Sequence, residues 1–317
     1  MKLPLAERNK LILQKAEKVL EQKIADLAKG WTHMRTTHYL ILSHVDKAFT
    51  QKIANQAEAI HDWLDESFGD IGEGVVAPGV IRIFEDAKDR GPQDRLTIIQ
   101  AGAIVEIVLL KRGEWGDPKE AQWETTVEII DKWFTYKNEE LWDRMPAWMT
   151  SGIIQYLASA SLKGRKLVFS PDVEEKTMLK EAFVRDKLAE KKGEKANNVK
   201  PLKDLVTMTR HEREGGSWVE YWFFRYQSGS FLRFLFDGPG KGLKQTKGII
   251  HEYVKHLLAE LEVVEKKIKE EREARQAARD AQSQMTEEER LKAEDEEYRS
   301  EERRVGKECR WRWWAYH

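Results

Sequence analysis

The chain has 317 residues, 34% of them charged, with a formal net charge of −1 and a mean hydropathy of −0.66. That balance predicts one or two soluble domains with a sizeable core and excludes a global electrostatic pull toward nucleic acid or an anionic membrane. No apolar run approaches the roughly 18 residues of a membrane span. Charge also interrupts every apolar stretch of the opening MKLPLAERNKLILQKAEKVLEQ, so no signal peptide is predicted.

Residues 5–29 carry Leu11, Leu13, Ala16, Val19, Leu20, Ile24 and Leu27 at helical spacing, and Gly30 stands where such a helix would stop. THYLILSHV (37–45) reads as a strand of β-branched and aromatic residues. Asp46 is placed to cap a helix through Phe49, Ile53, Ala57, Ile60 and Leu64 that closes near Gly69. GVIRIFED (79–86) and IVEIVLL (104–110) read as two further strands. A helix over 119–136 follows Pro118, and Pro146 opens another through Tyr156 and Leu157. After the short apolar piece KLVFSP comes a charged helix over 173–192, then a short helix at PLKDLVTM. HEREGGS reads as a loop, and the aromatic stretch 218–236 as one buried helix or two packed turns.

From about Gln245 a long helix presents Ile249, Ile250, Val254, Leu257, Leu258, Leu261 and Val264 on one face. Beyond Ile268 it is polar all round, which predicts a solvated single helix or no fixed structure. Thr286 with Glu289 forms a capping box for a last charged helix. Within the long helix, HEYVKH superficially resembles a zinc-binding H-E-x-x-H. Its histidines are five apart, which turns His251 and His256 about 140° from each other around the axis. They cannot share one ion.

The stretch RSEERRVGKEC (299–309) back-translates to a sequencing-library adapter, so residues 299–317 are read as non-biological and set aside. The one cysteine, Cys309, falls there, which removes disulfides and thiol catalysis from the natural part. Strands first and helices after predict an α+β class.

Three segments resemble the gluzincin-like (peptidase MA-like) family of planctomycete-type bacteria. THYLILSHVDKAFTQKIANQAEAIHDWLDESFG is similar to its opening strand and helix. MPAWMTSGIIQYL is similar to its P-x-W-[LM]-x-E-G-[IL]-A-E-Y segment, and YQSGSFLRFLFDGPG to its closing helix. The resemblance implies a zincin-like domain over 37–260, preceded by an N-terminal helix over 1–36 and followed by a charged helical arm over 261–298. In active members H-E-x-x-H lies about twenty residues before the E-G segment, whose glutamate is the third zinc ligand.

Counting back places that motif at VEIID, 127–131. The two histidine positions then hold Val127 and Asp131, the general-base position keeps Glu128, and the third-ligand position holds Ser151, followed by the retained Gly152. Catalytic zinc needs three good protein ligands and an open position for water. Valine has no lone pair, and no histidine lies between His61 and His211, so the expectation is no zinc, no cofactor and no catalytic residue. His38 and His44, about 20 Å apart along one strand face, are too distant to share a metal; with His33 they read as strand-end or surface residues.

The function expected is therefore a non-catalytic zincin-like scaffold or binding protein, without nucleic acid, whose charged C-terminal helix is either a solvated face or a surface for a protein partner. Two other readings stay open: a metallopeptidase with an atypical or incomplete site, and a generic α+β adaptor with a helical interaction arm.

Overall fold

The computed structural model describes residues 4–72, 76–90, 106–112, 118–138, 140–169, 173–194, 198–238 and 248–283. It is a mixed α+β chain. Its sheet runs in the order β1 (Thr32–Arg35), β2 (Tyr39–Ser43), β3 (Gly79–Phe84), β4 (Glu106–Leu110). β1 pairs antiparallel with β2, with Thr32 opposite Ser43, whereas β2–β3 and β3–β4 are parallel, with Ile41 opposite Ile81 and Ile81 opposite Ile107. Parallel neighbours require a crossover, supplied between β2 and β3 by α2 (Lys47–Phe68). As the sequence predicts, Asp46 caps α2, accepting from the Phe49 N–H at 2.9 Å.

β2 is buried on both faces, as an interior strand of a mostly parallel sheet should be. Leu40 and Leu42 pack with Ala16 and Leu20 of α1 (Leu5–Ala25) and with Val80 of β3. The alternate residues meet α2: the Tyr39 hydroxyl reaches His61, and the Ser43 hydroxyl bonds that of Thr50 at 2.6 Å. His38 and His44 bracket β2 in separate surroundings, and His44 pairs with Asp89 just after α3 begins (Ala87–Arg90).

The chain then continues through α4 (Pro118–Lys137), α5 (Leu141–Arg144) and α6 (Ala147–Ala158), with α4 packed on both α2 and α6. β5 (Ser161–Lys163) and β6 (Lys166–Val168) form a hairpin, followed by α7 (Val173–Lys192), α8 (Leu202–Thr207), α9 (Arg210–Glu214) and α10 (Trp218–Phe236). The aromatic stretch is one helix, opened by a capping box between Ser217 and Glu220. HEREGGS is a loop only in part, because its first residues form α9.

α6 is buried on nearly every side, and its principal partner is α10. The two approach closely at a pair of glycines. A Cβ on Gly152 would lie 2.9 Å from both Leu232 Cγ and the Ser228 carbonyl, and one on Gly229 would meet Gln155 Cβ at 2.9 Å. The last described element, α11 (Ile249–Ser283), begins in the first of two compact units, Met1–Ala259. There His251 bonds Asp70 at 2.6 Å, while His256 is exposed. The second unit begins at Glu260, and its described side chains from Glu262 to Ala277 are exposed. Residues 284–298 and 299–317 lie outside the described residues, with the expected capping box and the adapter-like tail. No helix among the described residues is long and apolar enough to cross a membrane.

Candidate functional site

Among the described residues, two loci bring chemistry-bearing side chains together. The first is the packed pair α4 and α6. Val127, Glu128 and Asp131 are partly buried on α4, and Ser151 on α6 is buried. One helical turn from Val127 and Ser151, a clamp ties the two helices together. Arg225 of α10 lies 3.3 Å from the Trp123 ring centroid and 4.3 Å from that of Trp222, and its Nε donates to Gln155 Oε1 at 2.8 Å. Burial among these rings draws the Arg225 pKa down to about 10. Trp123 and Val127 are four apart on α4, and Gln155 and Ser151 four apart on α6, so each pair shares a helix face.

Ser151 is already engaged. Arg213 of α9 donates Nη1–H to Ser151 Oγ at 3.0 Å, and its guanidinium lies 5.6 Å from the Tyr221 ring centroid. Asp131 is bonded by its neighbour Lys132 at 2.9 Å. Burial raises the Glu128 carboxyl above its ordinary range; Lys132 opposes the shift and Asp131 adds to it. A valine, a serine facing a guanidinium and a carboxylate neutralised by lysine do not make the donor set of a zinc centre.

The second locus was not foreseen from sequence. Four residues of one α2 face, Glu58, His61, Asp62 and Asp65, meet His38 at the entry to β2. Glu58 accepts from the Thr36 hydroxyl at 2.6 Å, from the His38 backbone N–H at 2.8 Å and from His38 Nδ1 at 2.9 Å. Burial pushes Glu58 up, but these bonds outweigh it and hold the carboxyl at about 2. Burial likewise pushes His38 down, and Glu58 overrides it to leave His38 raised.

The His38 ring stacks on that of His61, centroids 3.7 Å apart and planes 10° apart. Burial, then the His38 charge, draws His61 down to about 4. His61 Nδ1 is 3.0 Å from the Tyr39 hydroxyl, and its Nε2 is 3.6 Å from Asp65 Oδ2. Asp65 Oδ1 accepts from Trp133 Nε1 of α4 at 2.8 Å. His38, read as a strand-end residue, is thus part of a cluster. The available signal was the spacing E-x-x-H-x-x-x-D on α2, which puts Glu58, His61 and Asp65 on one face beside the strand that precedes it.

A third feature is a cleft of about 610 Å³ bordered by Gln51, Lys52, Asn55, Gln56 and Gln122 on α2 and α4 and by the β5–β6 hairpin. Its lining is amide-rich, and Gln56 is itself committed to the Gln122 carbonyl and the Thr126 hydroxyl at 2.8 and 3.0 Å. The cleft carries no acid–base pair.

No protein-family model matches the chain, and no curated protein matches it.

Proposed function

We propose that this chain is a non-catalytic, zincin-like scaffold, a pseudo-metallopeptidase in which an arginine stands where an active relative would hold an ion. The observation that carries the reading is the bond from Arg213 to Ser151. A zinc ion held by the oxygen at position 151 would lie about 4 Å from a guanidinium. At an effective dielectric of about 20, charges of +2 and +1 at that distance repel by about 8 kcal/mol. Structural zinc sites with a full ligand set gain about 10–16 kcal/mol. Here Asp131 is the strong donor and its charge is shared with Lys132, so the gain falls short of that of a full ligand set while the repulsion is undiminished.

The retained Gly152 fits a packing role, because it admits α10 rather than a substrate. What remains useful in such a scaffold is its surface. The charged distal part of α11 is the partner-binding segment in this reading. The adaptor alternative shares that surface but demands no relation among Val127, Asp131 and Ser151.

Metal occupancy and peptidase activity of Glu128→Ala and Asp131→Ala chains test the proposal. The expected result is no chelator-sensitive peptidase activity in the unmodified chain and no change in bound metal in either variant. Zinc that disappears on either substitution would overturn it.

A further inference from the structure

Donor atoms of His38, His61 and Asp65 lie within 4.8 Å of one another, and one polar atom of each residue is tied to a different neighbour. His38 Nδ1 is held by Glu58, His61 Nδ1 by the Tyr39 hydroxyl, and Asp65 Oδ1 by the Trp133 indole N–H. Metal-binding histidines and carboxylates are characteristically oriented by such outer partners, which fix the tautomer and aim the remaining donor. A carboxylate can only accept, so the Nδ1 of His38 carries the hydrogen and neutral His38 offers Nε2. When His61 Nδ1–H donates to Tyr39, His61 offers Nε2 as well. Asp65 offers Oδ2, 3.6 Å from that nitrogen.

We propose that His38, His61 and Asp65 form a binding site for one divalent transition-metal ion, of the type that accepts two imidazoles and a carboxylate, separate from the α4–α6 locus. Imidazole and carboxylate together suit Zn²⁺ and its neighbours rather than Ca²⁺ or Mg²⁺. His61 is buried and reaches the site from α2, whereas His38 and Asp65 remain accessible, with side-chain exposures of 24% and 46%. An ion can therefore enter from that side. Glu58 is excluded as a principal ligand because Thr36 and the His38 backbone already occupy it.

Ion uptake requires a specific movement. Parallel stacked rings send their lone pairs side by side, so they do not converge on one point. Donors around a tetrahedral zinc with bonds of about 2.1 Å stand about 3.4 Å apart. The site must close on the ion, and His38, the more exposed ring, turns out of the stack to do so. The ion would then join the residue that leads into β2 to α2 and, through Trp133, to α4.

The test is titration of the full, chelator-stripped chain with Zn²⁺ against a chromogenic competitor, and with Co²⁺ followed by visible absorbance. One ion per chain is expected, with a four- or five-coordinate Co²⁺ spectrum. His38→Gln and Asp65→Asn should each weaken Zn²⁺ binding tenfold or more, while Asp131→Asn leaves it unchanged. Asp65→Asn keeps an amide oxygen to accept from Trp133 while it removes the carboxylate donor. No binding up to about 1 mM, or binding indifferent to both His38→Gln and Asp65→Asn, would overturn the proposal. Loss of binding in Asp131→Asn would instead count against the non-catalytic reading of α4.

Discussion

Arg213 reaches back 62 residues to place its guanidinium against Ser151, with Nη1 and Oγ 3.0 Å apart. The contact changes what it would take to build a zinc centre there. Val127→His, Asp131→His and Ser151→Glu together supply three ligands, but the new glutamate would pair with Arg213 first. That triple variant should bind zinc weakly, and adding Arg213→Ala should tighten binding by a factor of about ten, because the partly buried guanidinium no longer competes with the ion for the new carboxylate. Calorimetry on the triple and quadruple variants decides it; equal affinities would remove Arg213 from the explanation.

The two glycines at the α6–α10 crossing give a packing prediction. Gly152→Ala would force Leu232 and the Ser228 backbone apart, and backbone does not yield as a side-chain tip does. A loss of about 1–3 kcal/mol is expected for such overpacking. Gly229→Ala should also displace Gln155 from Arg225. Thermal or urea melts of both variants check this, and unchanged midpoints would mean that the helices can separate freely.

Arg225 between Trp123 and Trp222 predicts a difference between conservative replacements. Lysine keeps the charge but loses the planar stack and the Nε bond to Gln155. Arg225→Lys should cost about 1–2 kcal/mol through the lost cation–π and hydrogen-bond contributions. Arg225→Ala should cost more and shift tryptophan emission to the red. Emission spectra and melts of the pair would expose the idea if lysine proved neutral.

Glu128 predicts a pH dependence with a definite sign. Burial raises its pKa in the folded chain, so the folded state holds the proton more tightly than the unfolded one. Ionised Glu128 therefore costs stability at neutral pH, and that cost shrinks as pH falls through the raised folded value and is gone below the unfolded carboxyl value of about 4.3. Glu128→Gln should melt higher than the parent at pH 7, with the difference vanishing near pH 4 and below. A gain that did not change with pH would point to another cause.

Removal of Arg299–His317, the adapter-like segment, should leave the melting temperature within about 1 °C, as expected for substitution away from packed features. A larger drop would show that this segment contributes to the fold.

Most helices were legible because their signals are local. Asp46 capping α2, Pro146 before α6 and the apolar stripe Ile53–Ala57–Ile60–Leu64 each act within one or two turns. β1 was missed because Thr32–Arg35 pairs on one side only and is mostly exposed, so its residues lack a strand's apolar alternation. β5 and β6, three residues each, are too short to show a period. The histidine cluster was missed for a different reason. Strand spacing relates His38 only to His44, whereas its partner His61 is brought in by the return of α2 against that strand. The spacing on α2 shows that Glu58, His61 and Asp65 share a face, but no spacing in the chain shows that His38 meets it.

The near-complete burial of α6 also bears on how the protein is made. Its ten buried positions include Trp148, Met149, Ile153 and Leu157, and the helix that covers them, α10, is completed only at Phe236. Synthesis adds about 5–20 residues per second. A nascent chain would therefore present this oily helix for several seconds after it leaves the ribosome, before its cover arrives. That interval is when a holdase or an aggregation partner would compete for it, and slowing translation between residues 158 and 218 should lower the soluble yield.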